Sequence, residues 1–140
     1  MRYLLDTNFL SETAKPFPDP GVLEWTRAQS QLDLLVSVVS FGEIRYGVDI
    51  MPIGRRRHAV EAWLTSTLPR QFRGRVLPVD EDVAVKWGRL WAEGRKRGRP
   101  LPAVDGLLLA TAAVHELTLV TRNERDCADR GVSILNPWSS

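Results

Sequence analysis

Four short segments carry acids in positions where acids are hard to explain as surface decoration. Asp6 follows the apolar run Arg2–Leu5. Glu43 stands in Ser40-Phe41-Gly42-Glu43, just after the apolar run Leu32–Val39. Asp105 is the only acid in Ala103–Val114, a segment apolar nearly all round. Thr121-Arg122-Asn123-Glu124-Arg125-Asp126 follows the apolar run Leu117–Val120. Each has a structural explanation. Asp6 alone is at least as readily a turn or helix-capping aspartate. Ser40-x-x-Glu43 fits a capping box, in which the glutamate bonds back to the cap. Asp105 suits the positive end of a helix dipole, and Glu124 suits an exposed turn. Asp105 is the most telling, because a carboxylate in a buried helix is costly unless it meets a cation or a metal.

Taken together, the acids suggest one chemistry. Carboxylates converging in a cleft repel one another, and a hard, oxygen-loving divalent cation such as Mg²⁺ or Mn²⁺ relieves that repulsion. Such an ion neutralises phosphate charge and helps generate hydroxide from water, which suits phosphodiester cleavage. Arginines cluster in Arg55-Arg56-Arg57-His58, in Arg70, Arg73 and Arg75, and in Arg95-Lys96-Arg97-Gly98-Arg99. Guanidinium forks match phosphate geometry. A merely solvated basic face explains them about equally well. The formal net charge of +2 is too mild to decide. No Gly-x-Ser-x-Gly, Walker loop or Gly-x-Gly-x-x-Gly is present. His58 and His115 read as surface or structural residues.

The elements that must position these groups alternate. Strands are expected at Arg2–Leu5, Leu32–Val39, Arg75–Val79, Leu117–Val120 and Val132–Leu135. Helices are expected at Phe9–Ala14, Pro20–Ala28, Ser40–Ile50, Arg55–Leu68 (ended by Pro69, with Ala59, Val60, Trp63 and Leu64 inward), Asp80–Arg97 and Ala103–Glu116. Asn123–Ala128 reads as a turn or short helix. Strand–helix alternation without polar alternation in the strands predicts an α/β domain with a mostly parallel sheet covered on both faces. Ligands bind at the carboxyl ends of such strands, where the acids fall.

The 140 residues, 44% hydrophobic and 26% charged, suit one domain over 1–140 and exclude a disordered chain or a disulfide scaffold. Cys127 is the only cysteine, so no internal disulfide forms. No apolar run reaches the ~20 residues of a membrane span, and the N-terminus lacks a signal core. The expectation is a soluble, cytoplasmic protein. The tryptophans are Trp25, Trp63, Trp87, Trp91 and Trp138. Trp87 and Trp91 share a helix face, with Trp87 the better core candidate.

Leu4-Leu5-Asp6-Thr7-Asn8, Ser40-x-x-Glu43 with Arg45-Tyr46-Gly47, Ala103-Val104-Asp105-Gly106-Leu107-Leu108-Leu109-Ala110-Thr111-Ala112 and Leu119-Val120-Thr121-Arg122-Asn123 resemble the PIN-domain ribonucleases. More narrowly, the chain resembles the VapC-type toxins of type II toxin–antitoxin pairs, in the plasmid-stability-like branch ending in Asn-Pro-Trp, here Asn136-Pro137-Trp138. The resemblance spans essentially the whole chain. It implies a PIN-like three-layer α/β/α domain with a central, mostly parallel sheet of four to five strands. It also implies a Mg²⁺- or Mn²⁺-dependent endoribonuclease whose catalytic and metal-binding acids are Asp6, Glu43 and Asp105. Many members carry a fourth acid where this chain has Asn123, so Asn123 and Asp126 are second-tier candidates, with Thr121 and Asn8 as hydrogen-bonding supports. The partners implied are RNA, a VapB-type antitoxin with a basic side chain entering the acid cluster, a second copy in a homodimer, and DNA only through the antitoxin. The antitoxin's apolar segment would cover the remaining exposed aromatic surface. The alternative is a nuclease-weak module that serves mainly as partner of a DNA-binding antitoxin.

Overall fold

A computed structural model describes residues 1–139. The first strand, β1 (Tyr3–Leu5), leads into α1 (Thr7–Thr13) and α2 (Pro20–Arg27). After a 3₁₀ turn, Gln31–Asp33, come β2 (Leu34–Ser37), α3 (Val38–Ile50) and α4 (Arg55–Ala62). A π-helical turn, Trp63–Thr67, joins α4 to α5 (Leu68–Gln71), followed by β3 (Val76–Leu77). The rest is α6 (Glu81–Lys96), α7 (Ala103–Val114), β4 (Thr118–Val120), α8 (Glu124–Cys127) and β5 (Ile134–Leu135).

The sheet order is β3-β2-β1-β4-β5, and every pairing is parallel. Successive strand side chains point to opposite faces, and the core divides accordingly. Tyr3, Leu5, Leu34 and Val36 pack with Phe9, Val22, Val48, Leu64, Leu68 and Phe72. Leu4, Leu35 and Leu119 pack with Val83, Leu90, Leu108, Leu109 and Ala112 from α6 and α7. Both faces are covered, so β1, β2 and β4 are buried throughout and show no polar alternation. The expected three-layer α/β/α architecture is the one observed.

Local details differ from expectation. The second strand is shorter than Leu32–Val39, because the Ser37 hydroxyl accepts the Val39 N–H at 3.0 Å and starts α3 at Val38. Pro69 does not end the helix that begins at Arg55. In the π turn the Leu68 N–H donates to the Trp63 carbonyl, five residues back, and the chain stays helical through Gln71. The widened turn relieves the clash a proline ring makes with the carbonyl four residues earlier. Ala59, expected inward, is exposed, while Leu64 is buried and Val60 and Trp63 are half-buried.

The C-terminal tail closes over α1 and α2. Trp138 meets Phe9 edge-on at 6.0 Å, and the Ser139 N–H and hydroxyl donate to Asp19 at 3.0 and 2.6 Å. Gly21 permits this approach, since a Cβ there would lie 2.5 Å from the Pro137 carbonyl oxygen.

Candidate functional site

Strand order fixes where a site can form. The chain moves outward from β1 to β2 and β3, then returns to place β4 on the other side of β1. The β1–β4 boundary is therefore the switch point, where helices on opposite faces leave a crevice at the strand ends. Asp6 ends β1 there and Thr121 ends β4.

Asp6 is 5% exposed and caps α1, its Oδ1 accepting the Phe9 N–H at 2.7 Å. The Thr121 hydroxyl, whose oxygen accepts the Asn123 N–H at 3.0 Å, is also within hydrogen-bonding reach of Asp6. These donors do not offset burial. The Asp6 carboxyl is pushed up to about 6 by desolvation, with the charges of Asp105 and Glu43 adding to it. Both readings of Asp6 hold at once: it is a cap and a member of an acid cluster.

Glu43 is not part of a capping box. Ser37 is the cap of α3, and Ser40 lies within the first turn. The Thr7 hydroxyl donates to Glu43 Oε1, and Thr7 Oγ1 lies 2.8 Å from Ser40 Oγ. The glutamate is thus held by the β1–α1 junction, beside the switch point, with Oε2 outside this pairing. Thr7 fills the supporting role expected of Asn8, which is exposed and borders a groove instead.

Asp105 stands half-buried in the first turn of α7. Burial raises its pKa, the charges of Asp126 and Glu43 raise it further, and Asn123 and Arg130 partly offset the rise. Asn123 caps α8, and its Nδ2 donates to Asp105 Oδ2 at 3.0 Å and to Asp126 Oδ2 at 3.1 Å. The neutral residue at this position spaces two carboxylates apart. Glu124 remains an exposed turn residue, accepting from Asn136 Nδ2 at 3.2 Å. None of the four ion pairs among the described residues involves Asp6, Glu43, Asp105 or Asp126. Nor do three His, Cys, Asp or Glu side chains among them form a group that encloses an ion directly.

Four contributors escape sequence reasoning. Thr7 and Ser40 stand in motifs the sequence singles out, but nothing local shows that Thr7 pairs with both Ser40 and Glu43. Arg130, 7% exposed, donates from Nε to the Asp126 carbonyl and from its two terminal nitrogens to the Arg99 and Pro100 carbonyls at 3.3 and 3.2 Å. It ties the loop before α7 to the end of α8. Cys127 lies beside the cluster with its thiol pushed up to about 12 by burial and then by Asp105, Asp6 and Asp126, which makes it inert rather than nucleophilic.

The arginine clusters also divide. Arg75 is spent on the Gln31, Leu34 and Gln71 carbonyls, and Arg99 on Ala128 and Arg125. Arg97 donates to Asp129 and Arg57 to Met51. Arg55, Arg56, Arg70, Arg73 and Arg95 remain exposed.

A groove of about 1090 Å³ runs from Thr7 and Glu43 between α1, α3 and α4 to Phe17, Met51 and Trp63. Phe17 is 92% exposed, and Ile50 and Ile53 nearby are exposed as well.

Fold and crevice together define an α/β protein with an acidic cleft at its topological switch point. The PIN domain model matches residues 3–130, and the chain belongs to the PIN-domain family. It is 36% identical over 135 residues to the VapC ribonuclease Y4jK of Sinorhizobium fredii, covering 96% of each chain. It is 33% identical to Toxin FitB of Neisseria gonorrhoeae over 96% of this chain and 97% of that one. Among solved structures, FitAB bound to a DNA fragment matches with a TM-score of 0.90 and 30% identity, over 99% of this chain and 96% of that one.

Proposed function

We propose that this protein is an endoribonuclease toxin of a type II toxin–antitoxin pair, dependent on Mg²⁺ or Mn²⁺ and working in the cytoplasm. The observation that carries the reading is the set of acids at the switch point of a PIN fold, raised in pKa at Asp6 and Asp105 and entering no ion pair among the described residues. Among the described residues no helix is long and apolar enough to cross a membrane. Full-length similarity to a VapC ribonuclease and to Toxin FitB supports the activity.

The donor set fits a hard cation. It is all oxygen, anionic and partly desolvated, and Mg²⁺ characteristically takes one or two carboxylates and keeps several waters. An open set of acids suits that preference better than a closed cage. Asp6 and Asp105 would hold the ion, with Glu43 completing the set. When bound, the ion offsets charge on the scissile phosphate and lowers the pKa of water. The chain's own work is positioning. Thr121 and the Phe9 N–H orient Asp6. Thr7 occupies Glu43 Oε1 and leaves Oε2 to accept a proton from the attacking water. Asn123 aims Asp105, and the exposed arginines hold the RNA backbone without reading bases.

The groove beside Glu43 suits the antitoxin. An apolar segment lying along α1, α3 and α4 would cover Phe17 and Met51 and bring a basic side chain to the acids, where it competes with the cation. DNA would be reached through the antitoxin, a reading consistent with the DNA-bound FitAB structure, and the toxin would form a homodimer.

The test is RNA cleavage by purified protein, with and without EDTA and the co-expressed antitoxin. New RNA ends should appear with Mg²⁺ or Mn²⁺, vanish with EDTA and be suppressed by the antitoxin. Cleavage indifferent to EDTA, or none at any metal concentration, would overturn the reading.

Asn123→Asp provides a sharper check on the acid cluster. It removes the donor between Asp105 and Asp126 and puts a third charge beside them. The metal-free protein should lose about 1.5–3 kcal/mol, the scale of a lost hydrogen bond to a charged group, while metal affinity rises. Asp126→Ala should weaken metal binding more in the native background than in the Asn123→Asp one. Thermal unfolding with EDTA and metal titrations on both backgrounds measure this. An Asn123→Asp protein that is more stable without metal contradicts the spacer role.

A further inference from the structure

Trp87 and Trp91, on consecutive turns of α6, stack with centroids 5.4 Å apart and planes 19° apart. Trp87 lies against the residue that follows Asp105: a Cβ on Gly106 would come 2.8 Å from Trp87 Cδ1 and 2.9 Å from Nε1. The stack is therefore seated on the first turn of α7, the turn that also carries Asp105. Trp91 caps it and is 55% exposed, a large apolar surface left in water. Gly88, three residues before Trp91, places no side chain over this face, and a Cβ there would meet nothing within 4 Å. Arg95, one turn beyond Trp91, is exposed and enters no ion pair among the described residues.

A half-exposed aromatic ring backed by a second ring, one turn from an exposed arginine and on the helix packed against the one that carries Asp105, has the makings of a base-stacking step. We propose that Trp91 is a subsite for an unpaired nucleobase of the RNA flanking the scissile phosphate, with Trp87 as its rigid backing and Arg95 contacting the adjoining phosphate. This rests on the ribonuclease reading above. The groove for the antitoxin lies elsewhere, among α1, α3 and α4, so the step is not consumed by that partner. Stacking engages the π-face of any base, so the subsite adds affinity and a demand for single-stranded RNA rather than sequence preference.

The test uses the Asp6→Asn protein in EDTA, so that binding is read without cleavage, with a short, unstructured, mixed-sequence RNA as probe. The RNA should quench tryptophan fluorescence. Trp91→Ala in that background should remove much of the quench and weaken binding about tenfold, within the range seen for a lost stacking ring. Trp91→Phe should recover most of the affinity. A matched abasic oligonucleotide should bind both proteins equally. In the active protein, Trp91→Ala should raise KM with kcat little changed, the mark of uniform binding. Equal RNA affinity with and without the ring overturns the subsite and leaves the nuclease reading intact. So does a Trp91→Ala protein that sediments at a lower mass than the parent, which would assign the ring to the interface between copies. Failure of the parent to bind RNA at all removes both.

Discussion

Asp6→Asn is expected to abolish RNA cleavage while making the metal-free protein more stable. The two effects share one cause. Burial and the neighbouring acids push the Asp6 carboxyl from 3.8 up to about 6. A carboxyl whose pKa is raised by folding stabilises the fold fully below its unfolded value, and that stabilisation is lost as pH rises through the folded value. Metal-free stability should therefore fall between about pH 4 and pH 6 and level off above. At ~1.4 kcal/mol per pH unit, the ceiling of the loss is about 3 kcal/mol. Asparagine is uncharged, nearly isosteric and able to cap α1, so Asp6→Asn should recover about 1–3 kcal/mol above pH 6. Asp105→Asn should act in the same direction, because burial and the charges of Asp126 and Glu43 raise that carboxyl too. Activity should fall by at least about a hundred- to a thousandfold, since in the proposed reaction electrostatic stabilisation of the phosphate depends on these charges. Saturating metal should reverse the stability order, because a bound cation favours the ionised carboxylate of the native protein. Urea unfolding with EDTA across this pH range, repeated with Mg²⁺, reads the stability, and RNA cleavage reads the activity. A variant that cleaves normally, or that is less stable than the native protein in EDTA at neutral pH, refutes the cluster.

Arg130→Met should destabilise the protein by about 3–5 kcal/mol, the largest loss expected from a single polar side chain here. One guanidinium satisfies the Asp126, Arg99 and Pro100 carbonyls. Hydrogen bonds from a charged donor are worth about 1.5–3 kcal/mol each, and the carbonyls left behind remain partly desolvated. Arg130→Lys should recover less than half of the loss, because an ammonium cannot fork to carbonyls on α8 and on the loop before α7 at once. The consequence for function follows from position. Pro100 precedes α7, whose first turn carries Asp105, so loosening the loop misplaces that carboxylate. Activity should fall even under conditions where the variant is folded, as near-attack geometry tolerates little displacement. Urea unfolding of Arg130→Met and Arg130→Lys, with cleavage measured well below the melting transition, decides this. Full stability in Arg130→Lys would show that charge alone, rather than the fork, is what the site requires.

The contrast between these two residues marks how far the sequence reaches. Asp6, Glu43 and Asp105 are legible because local signals suffice: short apolar runs make buried strands, each acid follows a strand or sits in an apolar helix, and parallel sheets bind ligands at one edge. The three-layer fold follows from the same alternation and from strands lacking a polar face. Partners are not legible. Ser40-x-x-Glu43 reads locally as a capping box, yet Glu43 is held by Thr7, 36 residues away, because folding brings the β1–α1 junction against α3. Asn123 reads as a missing charge, yet it bridges two carboxylates from α7 and α8. Arg75 and Arg99 stand in clusters suited to phosphate, and tertiary contacts spend them on backbone carbonyls. Capping, periodicity and composition act over a few residues and are written in the chain. Which carbonyl an arginine reaches, and which acid is left without a cation, depend on crossings between distant segments, and only the packed structure settles them.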